Sequence, residues 1–337
     1  MTMTTSATSR MPVPQKYLPT VVTAALFVAV FVVGGLRYDG FASGQVVLNI
    51  FVDNAFLLVV AVGLTFVILT GGIDLSVGAV VALSTMVSAS LVTNHGWPPL
   101  VAIALVLVIG SVLGLVMGAI IHYFEIQPFI VTLAGMFLAR GLCYTIGTDS
   151  IPITDPVFTS LAQTKVGLFG ELWISPSVVI AVAAVLVAAY VLHYTRLGRN
   201  VYAVGGSEQS ALLMGLPAAR TKIAVYTISG FCSALGGVLL SFYMLSGYGL
   251  HAVGMELDAI AAVVIGGTLL TGGSGYLVGS VLGVLVLGLI QTIISFQGTL
   301  SSWWTKIFIG LLLLAFILLQ RVTSRRGPRS PGARRRG

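Results

Sequence analysis

The sequence is poor in charge. Only 8% of its 337 residues are Asp, Glu, Lys or Arg, against 57% that are hydrophobic. A water-soluble domain carries roughly 25% charged residues, so this chain has too few to clothe a wet surface, and lipid must be its solvent. Cysteine is nearly absent. Cys143 and Cys232 both fall in apolar stretches, which gives neither a disulfide framework nor a thiolate metal site. The four histidines are scattered without ligand spacing, so no metal is expected. There is no Walker loop, so the chain cannot cradle ATP phosphates by itself. The apolar runs are continuous rather than alternating, which argues against an outer-membrane barrel.

What is present is a series of apolar runs and a mean hydropathy of +1.04. Ten helical spans are expected, at 18–36, 46–70, 77–92, 100–121, 129–146, 177–194, 221–243, 257–270, 277–294 and 303–320. The third and eighth are short and flanked by glycines. The first run is too long for a signal peptide and lacks a small-residue cleavage site, so it is read as a retained span. The domain reading is an N-terminal segment at 1–17, a membrane domain at 18–320 with an inner loop at 195–220, and a basic, disordered tail at 321–337. The net charge of +7 does not indicate nucleic acid, because seven of the seventeen basic residues sit in that tail with no aromatic stacking module. A cytoplasmic tail facing lipid headgroups fits better.

Lys and Arg set the orientation. With the N-terminus inside, Arg10, Lys16, Arg196, Arg199, Arg220, Lys222 and the seven tail arginines are cytoplasmic. Arg37, Lys165 and Lys306 fall outside. Both termini are therefore expected in the cytoplasm, and the protein in the cytoplasmic membrane.

Several polar residues stand out. In LTGGIDLSVG, Gly71 and Gly72 let the backbone turn, and Asp74 with Ser76 can cap a short third helix. A capping carboxylate holding a broken helix is favoured over direct ligand contact. The third position of a GxGD protease motif is filled by Ile73, which rejects an intramembrane protease. Arg140 lies six residues from the end of the fifth span, about 9 Å deep. It is either a snorkelling or helix-pairing arginine, or it lines a pathway and pairs with Glu256 or Asp258. Asp53, Asn54 and Gln291 offer hydroxyl partners, with Phe56, Tyr243 and Tyr248 as aromatic faces. Each alone is more often an interhelical bond or core filler.

The inner loop reads TRLGRNVYAVGGSEQSALLMGLPAAR. Ser207 is an N-cap and Glu208 favours the positive helix end. About two helical turns follow, closed by Gly215. Leu212, Leu213 and Met214 would then face water unless a partner or the bilayer covers them, with Arg196 and Arg199 alongside.

The stretches TFVILTGGIDLSVGAVVAL, TLAGMFLARG, RLGRNVYAVGGSEQSALLMGL and MELDAIAAVVIGGTLLTGGSG occur in this order. Together they resemble the permease subunits of sugar-importing ABC transporters of the ribose, arabinose and galactose type, over roughly 46–321. IFVDNAF, DSIPI and GTLSSWWTKIFIG resemble, more narrowly, permeases of galactofuranose importers. The resemblance implies an all-α membrane fold, a paralogous permease in a heterodimer, a separate ATPase subunit that holds the ATP, and an extracytoplasmic sugar-binding protein. The inner loop would then be the coupling loop, and the chain itself would bind no cofactor and perform no catalysis. The alternatives are an ABC permease for another sugar, such as ribose or arabinose, and a proton-driven secondary sugar transporter. The latter would need a titratable group near the midplane.

Overall fold

The fold is described from a computed structural model over residues 17–168, 170–301 and 303–325. The N-terminal segment before Tyr17 and the tail from Arg326 lie outside the described residues. Among the described residues, nine helices are long and apolar enough to cross a membrane. α1 (Leu18–Arg37) and α2 (Gly44–Leu69) come first. α3 (Val77–Ala89) ends in a π turn at Ser90–Asn94. α4 (Pro99–Tyr123) and α5 (Pro128–Ile146) each open on proline, whose missing N–H has no intrahelical partner to lose there. An excursion of β1 (Ile151–Pro152), α6 (Pro156–Gln163), β2 (Val166–Gly167) and β3 (Trp173–Ile174) leads to α7 (Pro176–Tyr194). Two short helices follow, α8 (Arg196–Gly206) and α9 (Glu208–Leu213), then α10 (Ala218–Met244). β4 (Ser246–Gly247), α11 (Met255–Ile265), α12 (Leu277–Gln297) and α13 (Trp303–Arg325) complete the order. β1 pairs antiparallel with β4, and β2 with β3.

Two layers are visible in the burial. α2, α3, α10 and α12 are mostly buried, whereas α1, α4, α5, α7 and α13 show most of their surface. The stretch Leu57–Leu69 of α2 is apolar on every side except Thr65, as a helix surrounded by others must be. α4 crosses α10 along Gly110, Gly114 and Gly118, whose missing side chains admit the backbone of Gly230, Tyr226 and Ile223. The exposed apolar residues of the outer helices, such as Val28, Leu186 and Leu311, are suited to lipid.

The eighth pass differs from expectation. α11 has 11 residues, about 16 Å at 1.5 Å each, roughly half a hydrocarbon core. The other half is the non-helical stretch 245–254, which runs along α3. Gly247 packs on Thr85 and Ala89 near one end of α3, and Ala252 lies against Gly78 near the other. Left-handed backbone at Leu245, Ala252 and Gly254 prevents winding there. Among the described residues, nine long apolar helices and this half-helix with its unwound continuation stand where ten spans are expected. α3 is broken in the complementary half: 71–76 is non-helical and only then does the helix begin. The two half-helices start against each other, since a Cβ at Gly78 would overlap Glu256 Oε2 and sit 2.7 Å from the Ala252 carbonyl oxygen.

One end of the bundle, here termed basal, gathers both ends of the described chain. Tyr17 stacks on Tyr276 at 5.1 Å. Gln320 Nε2 donates to the Val264 carbonyl at 3.1 Å, and Thr23 and Thr20 donate to the carbonyls of Ile265 and Gly266. The last carbonyls of α11, orphaned where the helix stops, are thus satisfied by side chains of α1 and α13. α8 and α9 lie at this end, and the β-strands and α6 lie at the other, apical end.

Candidate functional site

A cavity of about 480 Å³ opens between α2, α10, α11 and α12. Of the residues the sequence singled out as pathway candidates, Asp53, Asn54, Phe56, Tyr243, Asp258 and Gln291 line it. Arg140, Tyr248 and Glu256 do not. Tyr243 Oη donates to Asp53 Oδ1 at 3.2 Å, and its ring lies 5.9 Å from Phe56. Asn54 is buried and donates to the Ile50 carbonyl at 2.9 Å. Lys306, in the first turn of α13, donates to both Asp258 oxygens, at 2.7 and 2.6 Å. Asn49, Thr292, Ser295 and Phe296 also line the cavity and went unnoticed in the sequence. Their signal was there: 46, 49, 53 and 56 on α2, and 288, 291, 292 and 295 on α12, follow the helical repeat of one face.

The lining is rich in acceptors and amides and carries three aromatic faces, Phe56, Tyr243 and Phe296. Carboxylates and amides pair with hydroxyls, and ring faces pack on C–H groups. No arginine lines the cavity, and the adjacent Lys306 already spans Asp258. A ligand carboxylate would find no free cation among these residues. The site therefore suits a neutral polyol better than a zwitterion.

Arg140 has a different task from the pairing expected of it. Its Nη1 donates to the carbonyls of Gly249 and His251 at 2.6 and 2.8 Å. These belong to the unwound stretch 245–254, whose carbonyls have no helical partner. The guanidinium satisfies two of them, and the acids Glu256 and Asp258 are not its partners. Glu256 instead lies against the start of α3, beside Gly78.

Asp74 is fully buried. It accepts from the Ser76 N–H at 2.9 Å, the Ser76 hydroxyl at 2.6 Å and the Ser229 hydroxyl at 2.7 Å. Ser76 itself makes no capping bond, because its hydroxyl points back to the acid. The sequence puts this residue near the inner end of the bundle. In the structure it lies beside Ser229 of α10, five residues past the basal end of α2. Gly71 takes a left-handed turn at φ +79, and Tyr226 packs on Gly72, where no Cβ would fit.

At the basal end the expected short helix is present as α9. Ser207 Oγ accepts from the Ser210 N–H, and Gly215 closes it at φ +73. Glu208 pairs with Lys222 at 2.6 Å. Ala211 faces inward, while Leu212, Leu213 and Met214 are 54%, 90% and 66% exposed. α8 was not expected, because its three glycines argue against a helix. Its buried positions Gly198, Val201 and Val204, three apart, are the signal that reveals it. Arg196 and Arg199 project outward from α8. Tyr202 Oη donates to the Gly275 carbonyl at 2.9 Å. Burial, and then the neighbouring Tyr276, push this hydroxyl up to about 12, so it remains a donor.

The broken helices, the polar cavity among apolar helices and the exposed basal helix define a polytopic membrane transport protein. Residues 46–317 match the family model described as branched-chain amino acid transport system / permease component, and the chain belongs to that family. It is 47% identical over 307 residues to the inner membrane ABC transporter permease protein YjfF of Escherichia coli, covering 91% of this chain and 93% of that protein. It is 39% identical over 332 residues to the fructose import permease protein FruG of Bifidobacterium longum, covering 95% and 97%. With the ribose import permease protein RbsC of Haemophilus influenzae it shares 38% over 301 residues, 87% and 90% of the two chains. No solved structure matches. The chain is thus a transport permease rather than an enzyme.

Proposed function

We propose that this chain is the membrane-spanning permease subunit of an ATP-binding cassette importer that carries a monosaccharide into the cell. The observation that carries the reading is the cavity between α2, α10, α11 and α12, with its acids, amides and aromatic faces and no free cation. The family model is described by amino-acid transport, whereas the named relatives include fructose and ribose permeases. A branched-chain amino acid would present a carboxylate that no residue here is free to neutralise, which favours the sugar. Asp53, Asn54, Tyr243 and Gln291 would meet the hydroxyls, and Phe56 the C–H face of the ring. Galactofuranose is the sugar we favour, on the resemblance carried by IFVDNAF, DSIPI and GTLSSWWTKIFIG.

An ATPase subunit would hold the ATP and dock on α9, whose Leu212, Leu213 and Met214 are exposed among the described residues. Arg196 and Arg199 would flank that contact. A related permease would complete the pathway, and a sugar-binding protein would deliver the ligand at the apical end. The basal end, with both ends of the described chain, would then be cytoplasmic, as the Lys and Arg distribution favours.

The test is uptake into vesicles that hold the chain with its ATPase, companion permease and binding protein. Galactofuranose and pentoses are offered with internal ATP or with an imposed proton gradient. ATP-dependent sugar uptake supports the proposal. Uptake driven by the gradient without ATP, or uptake of branched-chain amino acids in place of sugar, overturns it.

A further inference from the structure

Three backbone segments meet at the basal end without a side chain between them. The end of α8 contributes Gly205, the end of α2 contributes Leu69, and the loop between α11 and α12 contributes Gly273. The Gly273 N–H donates to the Leu69 carbonyl at 2.9 Å. A Cβ on Gly205 would overlap that same carbonyl oxygen and lie 2.6 Å from the Gly273 nitrogen. Gly272, at φ +82, lies against Gly71 in the same turn. A second bond ties α8 to this loop, from Tyr202 Oη to the Gly275 carbonyl.

The location matters more than the closeness. α2, α11 and α12 supply most of the cavity wall, including Asp53, Asp258 and Gln291. All three have an end at this junction: α2 stops at Leu69, α11 stops at Ile265 and α12 begins at Leu277. Leu69 also leads through Asp74 to the start of α3. Contacts between side chains can absorb a small displacement by changing rotamer. Backbone packed on backbone cannot, and close-packed interiors pass such strain on.

Resting on the permease reading above, we infer that the junction of Gly205, Leu69 and Gly273 is the link by which a movement of α8 reaches both broken helices and the cavity. Gly205 is a positioning residue: it touches no ligand, and it sets the distance between α8 and the two turns. Gly206, its neighbour, has open space where a Cβ would go. The pair makes an internal control. An alanine at 206 adds the same atom to the same helix end and meets nothing.

The experiment uses the assembled transporter in vesicles, with Gly205→Ala, Gly206→Ala and Tyr202→Phe compared with the wild type. Three quantities are read: sugar uptake, ATP hydrolysis, and the change in amide exchange of 70–76 and 266–276 when ATP is added. Wild-type uptake is the control on the permease reading; its absence overturns that reading, whatever the variants do. With a transporting wild type, Gly206→Ala should stay within about twofold of it. Gly205→Ala should hydrolyse ATP but take up sugar about threefold to thirtyfold more slowly, with the ATP-linked exchange change confined to 195–220. Tyr202→Phe, which keeps the packing, should weaken the exchange change in 266–276 and slow uptake less. Should Gly205→Ala fail to accumulate, Tyr202→Phe against Gly206→Ala decides. The inference is overturned if Gly205→Ala passes the exchange change to both turns and transports at the wild-type rate. Equal behaviour of Tyr202→Phe and Gly206→Ala, where Gly205→Ala does not accumulate, overturns it as well.

Discussion

Lys306 holds both carboxylate oxygens of Asp258, at 2.7 and 2.6 Å, and so ties the first turn of α13 to the first turn of α11. α11 is the half-helix that lines the cavity, and its other half is unwound chain. The ion pair therefore fixes the helix whose own continuation cannot. The pair is partly exposed, with side-chain exposures of 49% and 23%. Its worth to stability is small, about 0.2–1 kcal/mol for such pairs.

The first prediction follows from that contrast. Lys306→Met should scarcely lower the thermal midpoint but should raise the KM for uptake, because Asp258 then swings free in the cavity. Exchanging the two residues, Asp258→Lys with Lys306→Asp, should recover part of the loss. A double-mutant cycle on KM measures the coupling. A cycle with no coupling term rejects the role of the pair in shaping the cavity.

Tyr243 tests the cavity more directly. Tyr243→Phe keeps the ring beside Phe56 and removes only the bond to Asp53. A lost hydrogen bond of this kind is worth about 0.5–1.5 kcal/mol, so KM should rise by roughly twofold to tenfold at unchanged protein level. Uptake kinetics over a sugar series check it, and an unchanged KM would remove Tyr243 from the pathway.

Arg140 shows what the sequence could and could not say. That an arginine at such depth needs a partner was legible, and so was its depth, because helix rise and span length give both. The partner was not. The expected acids approach the membrane from the same side as Arg140, but the carbonyls of Gly249 and His251 became available only because 245–254 is unwound. The short span was visible, with its glycines in VIGGTLLTGGSG, but the unwound stretch 245–254 lies before it, and periodicity does not report which half of a pass unwinds. Likewise, six of the nine residues expected along the pathway do line the cavity, since polar residues in apolar helices tend to face inward. Glu256 does not, because two broken helices bring it to Gly78 instead. Nine of the ten expected spans are long apolar helices, legible from length and apolarity alone. α8 was hidden by its glycines, one of which, Gly205, gives it its close approach to Leu69.

Arg140→Ala should free the stretch it holds. Amide exchange in 245–254 should quicken, while the remote helices keep their protection. Uptake should fall, and charge reversal at Glu256 or Asp258 should not restore it. Rescue by either reversal would show that an ion pair, rather than the two carbonyls, is the working partner.

Asp74 is the buried charge with the most to lose. It accepts three hydrogen bonds, and bonds to a charged group contribute about 1.5–3 kcal/mol each. Asp74→Ala should sharply lower the thermal midpoint and the amount of protein in the membrane. Asp74→Asn should do so less, because its carbonyl still accepts from Ser76. For whatever Asn protein folds, the KM should match wild type, since the acid lies outside the cavity. A raised KM with normal protein levels would place Asp74 on the pathway after all.

Leu213 separates docking from folding. It is 90% exposed at the end of α9, so Leu213→Glu removes no contact within the chain. Substitutions of that kind usually shift stability by less than about 0.5 kcal/mol. If α9 inserts into a groove of the ATPase, the same change puts a charge into a dry interface. Anchors of that sort cost about 2 kcal/mol or more when lost, roughly thirtyfold in affinity. The variant should therefore melt like wild type yet fail to retain the purified ATPase subunit on an affinity column, and ATP-driven uptake should disappear. Ala211, buried on the opposite side of α9, gives the contrast: Ala211→Glu should unfold the loop itself. Normal ATPase retention with normal uptake in Leu213→Glu would leave α9 resting on the bilayer, and the docking surface would have to be sought on the arginine face of α8.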